Sequence, residues 1–155
     1  MQETLTLREA RPHELSEIAE HWLAMFEEVG KHHEHEFAPG WRERFVRYFS
    51  DQIARGNACY FVAHDGECIV ATAGALLTEG YPAAIHGIRS GYVFGVRVDP
   101  RYRGRGIATQ LTQRAIAFLQ AREPWAIRLH ASPFGRPIYE KLGFTPTNEM
   151  QLRPA

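Results

Sequence analysis

A turn rich in arginine and glycine, at residues 99–106, joins an apolar stretch to an amphipathic one, and no other segment constrains the fold as much. Residues 92–98 before the turn are mostly apolar and predict a buried strand. From Ile107 onward, apolar side chains recur at helical spacing and predict a helix with one apolar face. Gly104 and Gly106 therefore lie where a strand becomes a helix. Because glycine has no Cβ and the first N–H groups of a helix lack an intrahelical acceptor, the pattern predicts an anion site suited to a pyrophosphate.

Positive charge is concentrated at this turn, although the chain as a whole has no net charge. The sequence holds 18 basic and 18 acidic residues, so no overall field favours nucleic acid or an anionic membrane. The turn carries Arg101, Arg103 and Arg105, with Arg97 just before it, against the single acidic Asp99. We therefore expect any recognition of an anion to be local.

Two familiar phosphate-binding patterns do not fit the turn. A P-loop needs a Lys-Ser or Lys-Thr pair after its last glycine, and Ile107-Ala108 occupies that place. A dinucleotide fingerprint needs a small residue where Thr109 lies and an acidic residue at the end of the next strand, which is expected to end near His130 and Ala131.

The pattern that does fit is Arg-x-x-Gly-x-Gly/Ala, matched by Arg103, Gly106 and Ala108. It resembles motif A of the GNAT superfamily of N-acetyltransferases. Further along, residues 125–131 predict a short strand, and residues 132–144 contain a tyrosine followed by Leu-Gly-Phe, which resembles the way the family's core ends. The two motifs together, in this order and spacing, are a strong signal.

The resemblance implies the GNAT acyl-CoA N-acyltransferase fold, an α+β fold of the three-layer type. Its mixed, mostly antiparallel sheet is expected to have about six or seven strands, flanked by about four helices. The sheet should splay between the strand ending at Val98 and the strand ending at Ala131, in a notch that holds pantetheine in the family. Gly95 marks either a bulge that starts the splay or a close packing contact. The length of 155 residues predicts one domain, 1–155.

Periodicity and turn residues predict the order of the elements. The expected elements are a strand with Leu5 and Leu7, a helix from Pro12 to Gly30, a helix from Trp41 to Gly56, a hairpin of 58–64 and 68–77, a loop at 78–90, the strand at 92–98, the helix after Gly106, a strand at 125–131, a short helix with Tyr139, and a last strand after Phe144.

The resemblance also implies acetyl-CoA as co-substrate and assigns the residues that bind it. Pantetheine contacts fall on the main chain of Val96 and Val98. Ser132 stands where many members have Asn, so its hydroxyl replaces only part of the usual amide contact. The pyrophosphate contacts fall on the main chain of Arg103, Gly104, Arg105, Gly106, Ile107, Ala108 and Thr109.

Tyr139 is the candidate general acid, since the family carries a tyrosine at this place whose hydroxyl reaches the thioester sulfur. The alternative is that it only packs the short helix onto the sheet. An alkylamine must lose a proton before it attacks, which calls for a carboxylate or an imidazole. Glu79, His86 and His130 are candidates, and His130 is favoured because it lies near the end of the strand beside the notch. The alternative for His130 is a hydrogen-bonded core histidine.

Residues 27–36 are rich in histidine and glutamate, but they lack an ordered metal-binding framework, and transfer from a thioester needs no metal. We expect no metal site. In the GNAT fold this loop overhangs the acceptor pocket, where its carboxylates would attract a cationic amine; the alternative is a solvated polar loop. The pocket itself is expected between the first two helices and the 78–90 loop.

Cys59 and Cys68 are expected to be free, buried thiols on the two strands of the hairpin. With residue 63 opposite 68 and residue 59 opposite 72, they would lie too far apart along the ladder to form a disulfide.

The leading hypothesis is an N-acetyltransferase that transfers the acetyl group of acetyl-CoA directly to a primary amine of a small molecule or peptide, in a ternary complex. The alternative is a non-catalytic acyl-CoA-binding sensor or scaffold. Nucleic acid and membrane partners are not expected, because the chain is neutral and lacks an apolar stretch long enough to span a bilayer. Without a targeting segment at residues 1–6, the expected location is cytoplasmic, and a homodimer is compatible with the chain's size.

Overall fold

The computed structural model describes residues 4–30 and 33–154. Within them, strands and helices follow the expected order for most of the chain. The strands are β1 (Thr6–Glu9), β2 (Ala58–Asp65), β3 (Cys68–Thr78), β4 (Ser90–Val98) and β5 (Ile127–Arg128). The helices are α1 (Leu15–Glu28), α2 (Trp41–Ala54), α3 (Tyr81–His86), α4 (Ile107–Gln120) and α5 (Arg136–Lys141), with short 3-10 turns at Pro12–Glu14, Glu34–Glu36 and Pro100–Tyr102.

The described strands form one sheet in the order β1-β2-β3-β4-β5. The first four pair antiparallel with their neighbours, and β5 joins β4 in parallel after the crossover through α4. Helices α1 and α2 cover one face of the sheet, and α4 covers the other. The expected three-layer α+β fold is therefore confirmed, with five strands in the described residues instead of about six or seven.

The two layers of the core differ in composition. The layer under α1 and α2 is rich in aromatic rings, among them the buried Phe45, Phe49 and Tyr60. The layer under α4 is mainly aliphatic, with Leu111 and Leu119 fully buried. A cavity, described below, opens on the aromatic side of the sheet.

Gly95 introduces a β-bulge into β4. Phe94 lies opposite Gly74 and Arg97 lies opposite Thr72, so three steps along β4 match two along β3. Gly95 has a φ of +61°, and the buried Thr72 hydroxyl donates a 2.8 Å hydrogen bond to its carbonyl oxygen. The predicted bulge is present.

The bulge changes which face the following side chains occupy. Val93 packs toward α4 and Phe94 toward α2, and strict alternation would return Val96 to the α2 side. Val96 instead packs toward α4, because the bulge adds one residue. Close packing is also present at this point, since a Cβ on Gly95 would lie 3.5 Å from Trp22 Cδ1.

Strands β4 and β5 pair only at their beginnings, Gly91 with Ile127 and Tyr92 with Arg128. Beyond Tyr92, β4 runs on without β5 beside it, which is the expected splay. The expected strand at 125–131 is therefore too long: Leu129, His130 and Ala131 lie outside β5. The physical reason is that the bulge at Gly95 bends β4 away, so that no ladder partner remains for these residues.

Two further expectations at the level of elements were wrong. No strand follows Phe144 within the described residues 145–154, because Pro146 lacks a donor and the two alternating apolar side chains, Met150 and Leu152, remain exposed instead of packing on the sheet. The expected loop at 78–90 contains α3, which begins with Pro82 in its first turn. At six residues, α3 is too short for its periodicity to be read from sequence.

The β2–β3 hairpin is tighter than expected. Asp65 pairs with Cys68 across the two-residue turn Gly66-Glu67, and Ala63 pairs with Ala71, not with residue 68. Cys68 consequently lies exposed at the end of the hairpin, so its expected burial was wrong.

Cys59 is buried, as expected, and both thiols are free. Burial, with a smaller contribution from the nearby Glu9 carboxylate, raises the pKa of the Cys59 thiol to about 12. This opposes a nucleophilic role, because the thiolate is the reactive form. Among the described residues, no helix has the length and apolarity needed to cross a membrane.

Candidate functional site

The chain leaves β4 through a closely bonded turn and enters α4. The Asp99 carboxylate accepts the Arg101 N–H at 3.1 Å, and the Tyr102 hydroxyl donates to the Asp65 carboxylate at 2.7 Å, which ties the turn to the β2–β3 hairpin. Gly104 and Gly106 follow with φ values of +76° and +75°, a region that favours glycine. The structure therefore contains the predicted strand, turn and helix in the predicted order.

The first turn of α4 is open at its main chain. Gly106 is the N-cap residue and supplies no side chain to cap the helix. A Cβ at Gly104 would meet nothing within 4 Å, and one at Gly106 would meet only the Gln110 amide at 4.0 Å. The first N–H groups of this 14-residue helix lack intrahelical acceptors and lie at the positive end of its dipole. This main chain, which includes Ile107, Ala108 and Thr109, has the form of an anion site.

The arginines of the turn differ in how firmly they are held. Arg103 donates from Nε to the Val98 carbonyl oxygen at 3.0 Å and from Nη2 to the Glu28 carboxylate at 2.9 Å. Arg101 pairs with Asp99 at 3.3 Å. The Arg105 guanidinium lies 5.1 Å from the centre of the Tyr102 ring, a cation–π distance. Arg103 is thus fixed against both the strand and α1.

Glu28, in the last turn of α1, connects two arginines. Its second carboxylate oxygen accepts from Arg97 Nη2 at 2.7 Å, and Arg97 also donates from Nη1 to His21 Nδ1 at 2.8 Å. The side chain of Arg97 is only 11% exposed. Burial, then the Arg97 charge, lowers the pKa of His21, which favours the neutral ring that this hydrogen bond requires. Sequence reasoning missed this cluster, because its members lie far apart in the chain.

The open edge of β4 carries the residues assigned to pantetheine. The Asp99 N–H donates to the Val70 carbonyl, so the neighbouring pair of Val98 and Ala71 is a non-bonded pair of the antiparallel ladder. Val98 therefore directs its N–H and carbonyl away from β3, and Arg103 already occupies that carbonyl. Val96 lies two residues earlier, also beyond the last contact with β5.

Ser132 and Tyr139 lie together around Gly135. The Ser132 hydroxyl accepts the Gly135 N–H at 3.1 Å, and a Cβ on Gly135 would lie 2.8 Å from the Tyr139 ring. The Tyr139 side chain is buried and its ring lies 6.1 Å from that of Phe144, but no described residue hydrogen-bonds its hydroxyl. Burial raises the pKa of Tyr139 to about 12, so the phenol stays protonated at neutral pH.

His130 is exposed and lies just past β5, where β4 and β5 separate. Its Nε2 lies 3.2 Å from the Tyr92 hydroxyl. The alternative of a hydrogen-bonded core histidine does not apply, since the ring is not in the core. Of the other candidate bases, His86 stacks on Trp125 with ring centres 4.5 Å apart, and Glu79 is exposed.

A cavity of about 610 Å³ opens on the aromatic side of the sheet, among α1, α2, the turn between them and β4. Its walls are almost wholly apolar, and Ala38, Glu36 and Arg44 complete them. The aromatic lining residues are Trp22, Phe37, Trp41, Phe45, Tyr48, Phe49 and Phe94. None of the residues 78–90, which the sequence places beside the acceptor, is among the lining residues of this cavity.

In the sequence, Trp22, Phe45 and Phe49 lie at helical spacing within the two predicted helices, which indicates apolar helix faces and gives no sign of a cavity. Nothing in the spacing distinguishes a ring that fills the core from one that borders a cavity. The 27–36 segment contributes Glu36, while Glu34 pairs with Arg42. Residues 31 and 32 of that segment lie outside the described residues. In the described part of it and elsewhere among 4–30 and 33–154, no cluster of three or more possible metal ligands occurs.

Comparison with protein families agrees with this geometry. The model of the acetyltransferase (GNAT) family matches residues 19–144, from α1 through α5. The chain belongs to the GNAT acetyltransferase family, and the resemblance seen in the sequence is confirmed. This makes it an acyltransferase by family. Curated protein sequences gave no match.

Solved structures with the same fold cover nearly the whole chain. A GCN5-related N-acetyltransferase from Ralstonia eutropha JMP134 is 28% identical, with a TM-score of 0.83 over 97% of this chain and 99% of that one. A predicted acetyltransferase from Clostridium acetobutylicum, solved with acetyl-CoA, is 26% identical, with a TM-score of 0.80 over 97% and 96%. Glucosamine-6-phosphate N-acetyltransferase from Arabidopsis thaliana is 17% identical, with a TM-score of 0.68 over 98% and 99%, and shares the fold alone.

Proposed function

We propose that the protein transfers the acetyl group of acetyl-CoA to a primary amine of a small molecule or peptide, directly and within a ternary complex. The observation that carries this proposal is the open turn at Gly104 and Gly106, which begins α4 beside the unpaired edge of β4. We also propose that residues 1–155 form a single acetyltransferase domain, which the family match over 19–144 supports.

The residues present fit coenzyme A. The main chain of 103–109 would bind the pyrophosphate, because its N–H groups and the positive helix end favour a dianion. The outward N–H of Val98 and the main chain of Val96 would bind the pantetheine amides as an added strand does. The Ser132 hydroxyl, which already accepts the Gly135 N–H, would make part of the cofactor contact that an Asn side chain makes in many family members. The use of acetyl-CoA by this chain is supported by the related structure from Clostridium acetobutylicum.

The chemistry needs two proton movements. As the amine nitrogen bonds to the thioester carbonyl carbon, the carbon–sulfur bond breaks, one proton leaves the nitrogen and one is taken up by the departing sulfur. Tyr139 would supply the second proton, since its phenol is protonated and has no partner among the described residues. His130 would accept the first through water, since it is exposed beside the divergence of β4 and β5.

Calorimetry with acetyl-CoA tests the binding step, and release of free thiol with a panel of amines tests the transfer. We expect saturable binding of acetyl-CoA and amine-dependent thiol release. Absence of binding at millimolar acetyl-CoA would exclude the proposal.

The second candidate function is a non-catalytic module that binds an acyl-CoA. The observation in its favour is that none of the three candidate bases lines the aromatic cavity. Saturable binding of acetyl-CoA without thiol release, for any amine of the panel, would favour this function over transfer.

A further inference from the structure

The aromatic cavity between α1, α2 and β4 has the size and lining of a small-molecule site. Its volume of about 610 Å³ suits a ligand of modest size, and such sites are mostly apolar with few polar groups. The rings contact one another: Trp22 lies 5.6 Å from Phe37 and 6.3 Å from Trp41, and Phe37 lies 5.3 Å from Trp41. They form a continuous wall of ring faces and edges.

The cavity reaches the strand that carries the reaction in the proposed function. Phe94 forms part of its lining, and it lies on β4 immediately before the bulge at Gly95. Trp22 closes the same corner, since its Cδ1 is 3.5 Å from the place of a Cβ on Gly95. A molecule seated among the rings therefore abuts the unpaired stretch of β4.

The charged groups around the cavity do not favour a polycation. Glu20 and Glu34, on either side of Arg42, are both bonded to its guanidinium. Among the described residues, Glu36 alone brings a carboxylate to the lining. An aminoglycoside or a polyamine needs several carboxylates to replace its hydration, so the lining does not suit one.

Arg44, the cation in the lining, already hydrogen-bonds the main chain. Arg44 donates to the carbonyl oxygens of Pro39 and Ala38, at 2.7 Å and 3.1 Å. These bonds fix the turn that carries Phe37. The lining therefore presents rings far more than charge to an occupant.

We propose that this cavity binds the acceptor and that the acceptor is a primary amine carried on an aromatic body, an arylalkylamine. This inference rests on the proposed function and names its substrate class. Aromatic rings favour offset or edge-on contact with one another, which this lining supplies on several sides.

Binding of 2-phenylethylamine tests the inference without any turnover. Two of the three tryptophans, Trp22 and Trp41, line the cavity, so the ligand should change the tryptophan fluorescence saturably. Phe37→Leu removes a cavity ring and should weaken binding about fivefold. Phe118→Leu, the same substitution on α4 and outside the cavity, should leave the affinity unchanged. Circular dichroism of both variants checks that the fold is retained.

A second variant keeps the inference testable if Phe37→Leu does not fold. Tyr48 is 49% exposed at the cavity, so Tyr48→Ser should fold and also weaken binding. Saturable binding by the wild type that both cavity variants weaken supports the inference. Absence of saturable binding, or equal affinity in Phe37→Leu, Tyr48→Ser and Phe118→Leu, overturns it.

Thiol release from acetyl-CoA separates the inference from the proposed function. The acceptor amines compared are 2-phenylethylamine, tryptamine, spermidine and glucosamine 6-phosphate. Faster release with the two aromatic amines supports the inference. Release with spermidine or glucosamine 6-phosphate alone overturns the inference and leaves the proposed function standing. No release with any amine counts against the proposed function, and the fluorescence titration then decides whether the cavity binds an aromatic amine.

Discussion

Glu28 in the last turn of α1 holds Arg103 of the glycine turn through a 2.9 Å ion pair. The two residues are 75 positions apart in sequence, and each is partly exposed, with 35% of the Glu28 side chain and 52% of the Arg103 side chain accessible. A carboxylate thus lies beside the main chain that is proposed to bind a pyrophosphate. The pair joins the end of the first helix to the proposed cofactor site.

Replacing Glu28 by Gln should tighten binding of acetyl-CoA at low salt. One negative charge near the diphosphate is removed, and a unit charge at about 4 Å in water is worth about 1 kcal/mol, or about fivefold in affinity. Calorimetry at low and high ionic strength measures the effect, which should shrink in salt. Glu27→Gln makes the same charge change on the neighbouring exposed residue and serves as control. Equal effects of the two variants would contradict a specific role for Glu28.

Replacing Gly106 by Ala should weaken binding of acetyl-CoA. Gly106 and Gly56 share a φ of +75°, so alanine at either position should cost about 1 kcal/mol of the free energy of unfolding. Chemical denaturation should show similar losses for the two variants. Only Gly106→Ala should also weaken acetyl-CoA binding in calorimetry, because Gly56 ends α2, away from the turn.

Replacing Tyr139 by Phe should lower turnover and leave the affinity for acetyl-CoA nearly unchanged. A general acid contributes about 10²- to 10⁴-fold where the chemical step limits the rate. Steady-state thiol release and calorimetry, taken together, separate the two effects. Because the pKa of Tyr139 is about 12, the wild type should show no loss of activity from this phenol between neutral pH and pH of about 10. Unchanged turnover in the variant would leave Tyr139 with a packing role only.

Replacing Gly74 by Ala should destabilise the protein by about 1 to 3 kcal/mol. A Cβ there would lie 2.7 Å and 2.9 Å from two carbons of the Phe94 ring and 3.0 Å from the Tyr60 ring. Urea denaturation measures the loss. Phe94→Leu in the same chain should restore part of it, since the smaller side chain leaves room. A loss that the second substitution does not reduce would place the strain elsewhere.

Lowering the pH below about 6.5 should destabilise the wild type through His21. Burial and the Arg97 charge lower the pKa of His21 in the folded protein, so the unfolded chain binds the proton more readily. The stabilising contribution is therefore complete above the unfolded pKa and is lost as the pH falls through the folded pKa. Urea denaturation between pH 7 and pH 5 measures it. His21→Gln, which keeps an acceptor for Arg97 and does not titrate in this range, should show a flatter pH dependence.

The sequence predicted well the parts of the fold that depend on long periodic segments. Helices α1, α2 and α4 are 14 residues each, so their apolar spacing was clear. The glycine turn was also clear, because a backbone with positive φ favours glycine at the positions concerned. Shorter elements were missed or overextended: α3 has too few residues to show a period, and β5 is cut short by the divergence from β4. That divergence depends on the shape of the neighbouring strand, which a single strand's own residues do not encode.

In the candidate site, too, the local features could be predicted from the sequence and the long-range contacts could not. Gly104 and Gly106 were found because their backbone conformations are local properties of the chain. The contact between Glu28 and Arg103, and the cavity beside Trp22, depend on how separate helices pack on the sheet. Their residue types are also those of ordinary ion pairs and cores, so composition gave no separate signal.

The extra residue at Gly95 uncouples the two halves of β4. Upstream of it the strand contributes a ring to the cavity, and downstream it presents polar main chain to the proposed cofactor. Removing one residue from 94–97 would restore strict alternation and exchange these two faces for every later position, Val98 included. A substitution in the cavity lining therefore leaves the cofactor edge of β4 in place, whereas a deletion between Phe94 and the glycine turn moves it to the other face of the sheet.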